Sequence, residues 1–135
     1  MVPAFDTNRL ERMQAMSIRG IAVLVVEDEA IIAQDLSAAV NDAGGLVVGP
    51  FSRVSDALSA LERGDVDAAV LDISLRDGDV QPVADALSAQ EVPFVLFTGG
   101  SVRPSLLGDL KAPVVEKPAT ADRVIRRLSI QVAQR

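Results

Sequence analysis

Four polar positions stand where four apolar runs stop. The run at 21–26 ends in Glu27-Asp28-Glu29, the run at 68–71 ends at Asp72, the run at 94–97 ends at Thr98, and the short run at 113–116 ends at Lys117-Pro118. In an open parallel sheet, ligands bind just beyond the carboxyl ends of the strands. Four such runs laid side by side would gather carboxylates, one hydroxyl and one ammonium on one edge. That set suits a Mg²⁺ ion and a phosphoryl group carried on Asp72. Phosphoryl transfer proceeds largely by positioning and charge neutralisation, so cations and donors around the phosphoryl oxygens suffice. A carboxylate nucleophile needs no general base.

Composition narrows the chemistry further. The chain has 135 residues and contains neither cysteine nor histidine. Disulfides, thiolate zinc sites, thiol catalysis, histidine bases, histidine metal ligands and a histidine phosphocarrier are all excluded. Any metal must be held by oxygen, which favours Mg²⁺, Ca²⁺ or Mn²⁺. The formal net charge of −6 argues against non-specific binding to nucleic acid or an anionic membrane. No apolar run approaches the roughly 20 residues of a membrane span, and residues 1–20 lack a signal-peptide core. A cytoplasmic protein is the expectation.

The elements that must position these residues alternate. Residues 1–19 read as an N-terminal extension, and residues 20–135 as one domain. Strands are expected at 21–26, 46–49, 68–71, 92–97 and 113–116. Ile32, Leu36, Ala39, Val40 and Ala43 mark a helix over 30–43 that Gly44-Gly45 ends. A second helix carries Val54, Ala57, Leu58 and Leu61, with capping groups in 52–55 and a stop at Gly64. Arg76-Asp77-Gly78-Asp79 reads as a turn. Val80, Val83, Ala84 and Leu87 form the next helical stripe. Gly99, Gly100, Pro104 and Gly108 leave room only for a short or mobile helix around 105–110. The last helix carries Ala121, Val124, Ile125, Leu128 and Val132 on one face and Arg123, Arg126 and Arg127 on the other. Five strands alternating with helices predict an α/β fold, a doubly wound parallel sheet covered on both faces.

The residues resemble the receiver domain of two-component response regulators over about 20–134. The resemblance rests on Val25-Val26-Glu27-Asp28-Glu29, Leu71-Asp72-Ile73-Ser74-Leu75 with Asp77-Gly78, Phe97-Thr98-Gly99, and Glu116-Lys117-Pro118. It implies a flavodoxin-like (βα)5 sheet of order 2-1-3-4-5. By resemblance, Asp72 is the phosphoacceptor, taking a phosphoryl group from a histidine kinase or a histidine phosphotransfer protein. Asp28 and Asp72 bind Mg²⁺ directly, Glu27 through a water, and the Ser74 backbone carbonyl completes the protein ligands. Thr98, the Gly99 N–H and Lys117 hold the phosphoryl oxygens, and Lys117-Pro118 is a cis peptide. Output runs through protein–protein contacts of residues 99–134, as expected of a stand-alone receiver, since the last helical stripe ends near 134.

The chain departs from the common pattern at Val114, where many receivers carry an aromatic that turns inward when the threonine engages phosphate. Thr98-Gly99-Gly100 loosely resembles the FAT GUY receivers, with Ser101 near the place of their tyrosine, so switching is expected to order or disorder the loop 99–111. Small residues at Ser74 and Gly100 suggest a short phosphorylated lifetime. Blander readings compete: the acidic triplet as a helix-dipole cap, Asp72 as a solvated strand end, Thr98 as structural, the arginines as a solvated face. Two functional alternatives stand beside the receiver, a phosphorylation-independent interaction module and a small Mg²⁺-dependent phosphohydrolase. The latter would want a second Asp where Ser74 stands. Oligomeric state is not legible.

Overall fold

The computed structural model describes residues 17–75, 78–99 and 112–135. Along the chain these form β1 (Ala22–Val26), α1 (Ala30–Asp42), β2 (Leu46–Phe51), α2 (Val54–Glu62), β3 (Ala68–Asp72), α3 (Gln81–Ala89), β4 (Phe94–Thr98), β5 (Val114–Glu116) and α4 (Ala121–Ala133). The five strands make one sheet in the order β2-β1-β3-β4-β5, every neighbour parallel. This is the doubly wound flavodoxin-like α/β order.

Alternation along the buried central strands divides the core into two layers. Successive side chains of a strand point to opposite faces. Leu24, Val26, Leu71 and Leu96 join Val54, Leu61, Val83 and Leu87 under α2 and α3. Val23, Val25, Val70, Val95 and Phe97 join Leu36, Val40, Val124 and Leu128 under α1 and α4. Each stripe read at helical spacing therefore has a strand face to cover. β1 beyond its first residue, and all of β3 and β4, are buried, as strands covered on both sides must be.

The stop of α1 is set by its two glycines. Gly44 takes a left-handed φ of 88°, and Gly45 N–H donates to the Val40 carbonyl at 2.9 Å, closing the last turn. A Cβ on Gly45 would lie 2.9 Å from both Ile18 Cδ1 and Val40 Cγ1, so the chain can pass there only without a side chain. Ile18 fills that place. It is 1% exposed, and its N–H donates to the Ala43 carbonyl at 3.2 Å. Packing thus reaches into the segment read as an extension, because an apolar side chain two residues ahead of Gly20 meets the gap beside Gly45. Residues 1–16 lie outside the described residues.

Other differences are local. β2 continues through Pro50 to Phe51; it is an edge strand, where a missing N–H costs no ladder bond. The N-cap of α2 is Arg53, whose side chain makes no capping bond, so no serine in 52–55 holds the cap position. Gly78 and Asp79 pair antiparallel with Leu75 and Ser74 in a two-residue ladder. The turn residues 76–77 and the helix and loop expected within 100–111 fall outside the described residues.

Replacing Ile18 with alanine should lower stability by about 2–4 kcal/mol, since it leaves a cavity between Gly45 and Val40. Urea unfolding measures this. A change within error would place residue 18 outside the core.

Candidate functional site

Parallel register brings the polar strand ends together in steps. Val26 pairs with Leu71, Asp72 with Phe97, and Thr98 with Glu116. Glu27 follows Val26, and Lys117 follows Glu116, so the acids and the lysine share one edge. Glu27 and Asp72 are 2% and 6% exposed. Carboxylate oxygens of Glu27, Asp28 and Asp72 all lie within 4.8 Å of one another. Holding three acids so close together, two of them buried, is unfavourable unless a cation joins them.

Among the described residues, Lys117 brings a cation to the cluster. Its Nζ stands 3.2 Å from Glu27 Oε2, 3.7 Å from Asp72 Oδ2 and 3.7 Å from Glu29 Oε1. The ammonium therefore pairs most closely with Glu27 rather than with Asp72. Burial opposes its charge, but the fields of Asp72, Glu27 and Glu29 outweigh that and hold its pKa above the ordinary lysine value. Its backbone N–H donates to the Thr98 carbonyl at 2.7 Å, which fixes where the side chain starts. The Lys117–Pro118 peptide is cis, as is Gly49–Pro50.

Glu27 answers the crowding by holding its proton. Burial, then the charge of Asp72, pushes its pKa from 4.5 to about 7. A hydrogen bond with Asp72 adds to the rise, while the Glu29 N–H and Lys117 pull it back. The Glu29 N–H donates to Glu27 Oε1 at 3.1 Å, and Glu29 occupies the N-cap of α1 without a side-chain capping bond. The acidic triplet thus turns Glu27 inward to the cluster instead of spending it on the helix end.

Of the residues singled out from sequence, Glu27, Asp28, Asp72 and Lys117 converge. Thr98 is 7% exposed at the end of β4, with Gly99 next to it. The Ser74 backbone lies two residues past Asp72 in the short ladder. Val114 is 37% exposed on β5, and no aromatic fills that position. Two partners of Lys117 escaped the sequence reading: Glu29, and Phe97, whose ring centroid lies 5.3 Å from Nζ. Strand parity carried the signal for Phe97, since it falls on the same face as Val115, two residues before the lysine.

The donor set fits a small hard cation: three carboxylates within reach of one point, one of them fully buried with a raised pKa. Beside it stands the Lys117 ammonium, and Thr98 ends the strand next to that of Asp72; an ammonium and a hydroxyl suit a phosphoryl group.

No family model matches the chain, and no curated protein matches it by sequence. Solved structures do. SdrG from Pseudomonas melonis Fr1, in its BeF3-activated conformation, is 38% identical with a TM-score of 0.62 over 87% of this chain and 93% of that one. A response regulator receiver protein from Sinorhizobium medicae WSM419 is 26% identical with a TM-score of 0.76, over 87% of this chain and 98% of that one. The response regulator PhyR from Brucella abortus is 25% identical with a TM-score of 0.76; the match covers 93% of this chain and 53% of PhyR.

In metal-free protein, folded Glu27 keeps a proton between 4.5 and about 7 that the unfolded chain has released. Stability must then fall as pH rises through that window and level off above it. The fall due to Glu27 should be at most about 3 kcal/mol. Thermal unfolding across this range should show it, and Glu27→Gln should flatten the slope. An equally steep fall in the Gln variant would assign it to another group.

Proposed function

Because the chain belongs to the response regulator receiver family, we propose that it accepts a phosphoryl group on Asp72 from a histidine kinase or a histidine phosphotransfer protein. One observation carries the reading: the oxygens of Glu27, Asp28 and Asp72 meet within 4.8 Å at the strand ends, with Lys117 Nζ 3.7 Å from Asp72 Oδ2. A carboxylate oxygen of Asp72 attacks the phosphorus of a phosphohistidine. The P–N bond breaks, its electron pair stays on the imidazole nitrogen, and an acyl phosphate forms on Asp72.

Its three terminal phosphoryl oxygens then need partners. Lys117 supplies an ammonium to one, and Thr98 a hydroxyl and Gly99 a backbone N–H to others. A Mg²⁺ ion held by Glu27, Asp28, Asp72 and the Ser74 carbonyl would supply the remaining positive charge. SdrG, 38% identical, takes a BeF3-activated conformation. A fluoroberyllate on an aspartate has the shape and charge of an acyl phosphate, which supports the same chemistry here.

The output is a protein contact, made by the end of the chain within 99–134. Of its described part, Val114 and the α4 arginines 123, 126 and 127 are exposed. The net charge of −6 does not suit nucleic acid or an anionic membrane. Among the described residues, no helix is long and apolar enough to cross a membrane. The module signals by changing state rather than by turning over a substrate.

Intact mass after incubation with Mg²⁺ and acetyl phosphate tests the reading. Wild type should gain one phosphoryl mass and Asp72→Asn none. No gain in a folded wild type would move the chain to a phosphorylation-independent interaction module. Saturating Mg²⁺ should also raise the melting temperature, by linkage to a site that only the folded state forms. An unmoved melting temperature would remove the metal from the proposal.

A further inference from the structure

We infer that Phe97 and Gly99 form a seat that fixes the Lys117 ammonium over the acidic cluster, making both of them positioning residues for phosphoryl transfer onto Asp72. This rests on the receiver reading above.

Charge alone does not settle where this ammonium goes. A lysine is a point charge on a flexible four-carbon stem. Here it faces three carboxylates at 3.2, 3.7 and 3.7 Å. Such a group could drift among them, so something else must choose its position.

Two neighbours do so. The first is the Phe97 ring, whose centroid is 5.3 Å from Nζ, inside the roughly 6 Å at which a ring face attracts a cation. The ring cannot move far: Phe97 is 3% exposed within the layer under α1 and α4. Its register partners are Asp72 on β3 and Val115 on β5, so it lies between the acceptor's strand and the lysine's. The chain has only four phenylalanines and no tyrosine or tryptophan.

The second neighbour is Gly99. A Cβ there would stand 2.8 Å from Lys117 Cδ, 3.0 Å from its Cβ and 3.3 Å from its Cγ. Gly99 is not among the residues with left-handed φ, so its backbone does not demand glycine. The lysine stem instead fills the space where a side chain would begin, so a Cβ there would push the stem aside. Stem over Gly99 and head over Phe97 leave Nζ 3.7 Å from Asp72 Oδ2, at hand for an oxygen of the group Asp72 would carry.

Gly99→Ala keeps the backbone N–H and evicts the stem. An open cleft of about 430 Å³, lined by Ile32, Asp35, Leu36 and Pro118, adjoins the seat and gives the stem somewhere to go. Displacement rather than unfolding is the expected result.

The test has two arms. Lys111 and Lys117 are the only lysines, so isotope-labelled lysine gives two side-chain signals by NMR. The Lys117 ε-methylene and ammonium signals should be shifted upfield by the ring in wild type and in Phe97→Tyr. They should lose that shift in Phe97→Leu and Gly99→Ala. A Lys117 signal unchanged by Phe97→Leu overturns the seat.

The second arm is the rate of phosphoryl uptake from acetyl phosphate with Mg²⁺. Phe97→Leu and Gly99→Ala should each slow it about three- to tenfold, and Phe97→Tyr should restore it. In a Lys117→Ala background neither should slow it further, because the loss runs through the lysine. Losses that persist there would make the two residues merely structural and overturn the inference. A wild type that takes no phosphoryl, yet shows the ring shift, overturns the phosphoacceptor reading and the positioning role with it, leaving only the ring contact.

Discussion

Mutual repulsion among Glu27, Asp28 and Asp72 is the constraint around which this molecule is organised. Left in water, three carboxylates would separate; here parallel strands hold their oxygens within 4.8 Å. Holding them takes rigid backing. Each acid at the sheet edge follows an apolar run whose side chains lie in both core layers, so the edge cannot yield without disturbing the core. Among the described residues the unfavourable charge is met in two ways: Glu27 shifts toward its neutral form, and Lys117 comes down on the cluster.

That arrangement sets the order in which the site's parts matter. The setting of Asp72, the proposed acceptor, depends on Glu27, which shares a hydrogen bond with it and lies nearest the Lys117 ammonium. The ammonium offsets the acids in this structure and, under the proposed function, would serve a phosphoryl oxygen on Asp72. Its placement beside both groups lets one residue do both with a short movement.

Much of this was legible in the sequence because strand ends and helix stripes obey simple periodicities. The runs ending at Glu27, Asp72, Thr98 and Lys117 identified the edge, and the stripe Val80, Val83, Ala84, Leu87 identified a helix whose four residues are all buried. What stayed hidden depends on contacts between distant segments. Ile18 looked like part of a loose lead-in because nothing local says that Gly45, far along the chain, leaves a gap of its shape. The Arg53 cap was missed because serines nearby are better intrinsic caps, yet the backbone turns into α2 at the arginine. Phe97 read as one more core residue, since only register and parity together place its ring near the lysine that follows the next strand.

Strand alternation in β4 has a consequence for how the two sides of the domain learn of an event at Asp72. Phe97 sits in the layer under α1 and α4, whereas Thr98, by parity with Leu96, faces the layer under α2 and α3. Adjacent residues in one strand are therefore wired to separate half-cores. A shift of the Thr98 side chain would press first on the residues under α2 and α3, and a shift of the Phe97 ring first on those under α1 and α4.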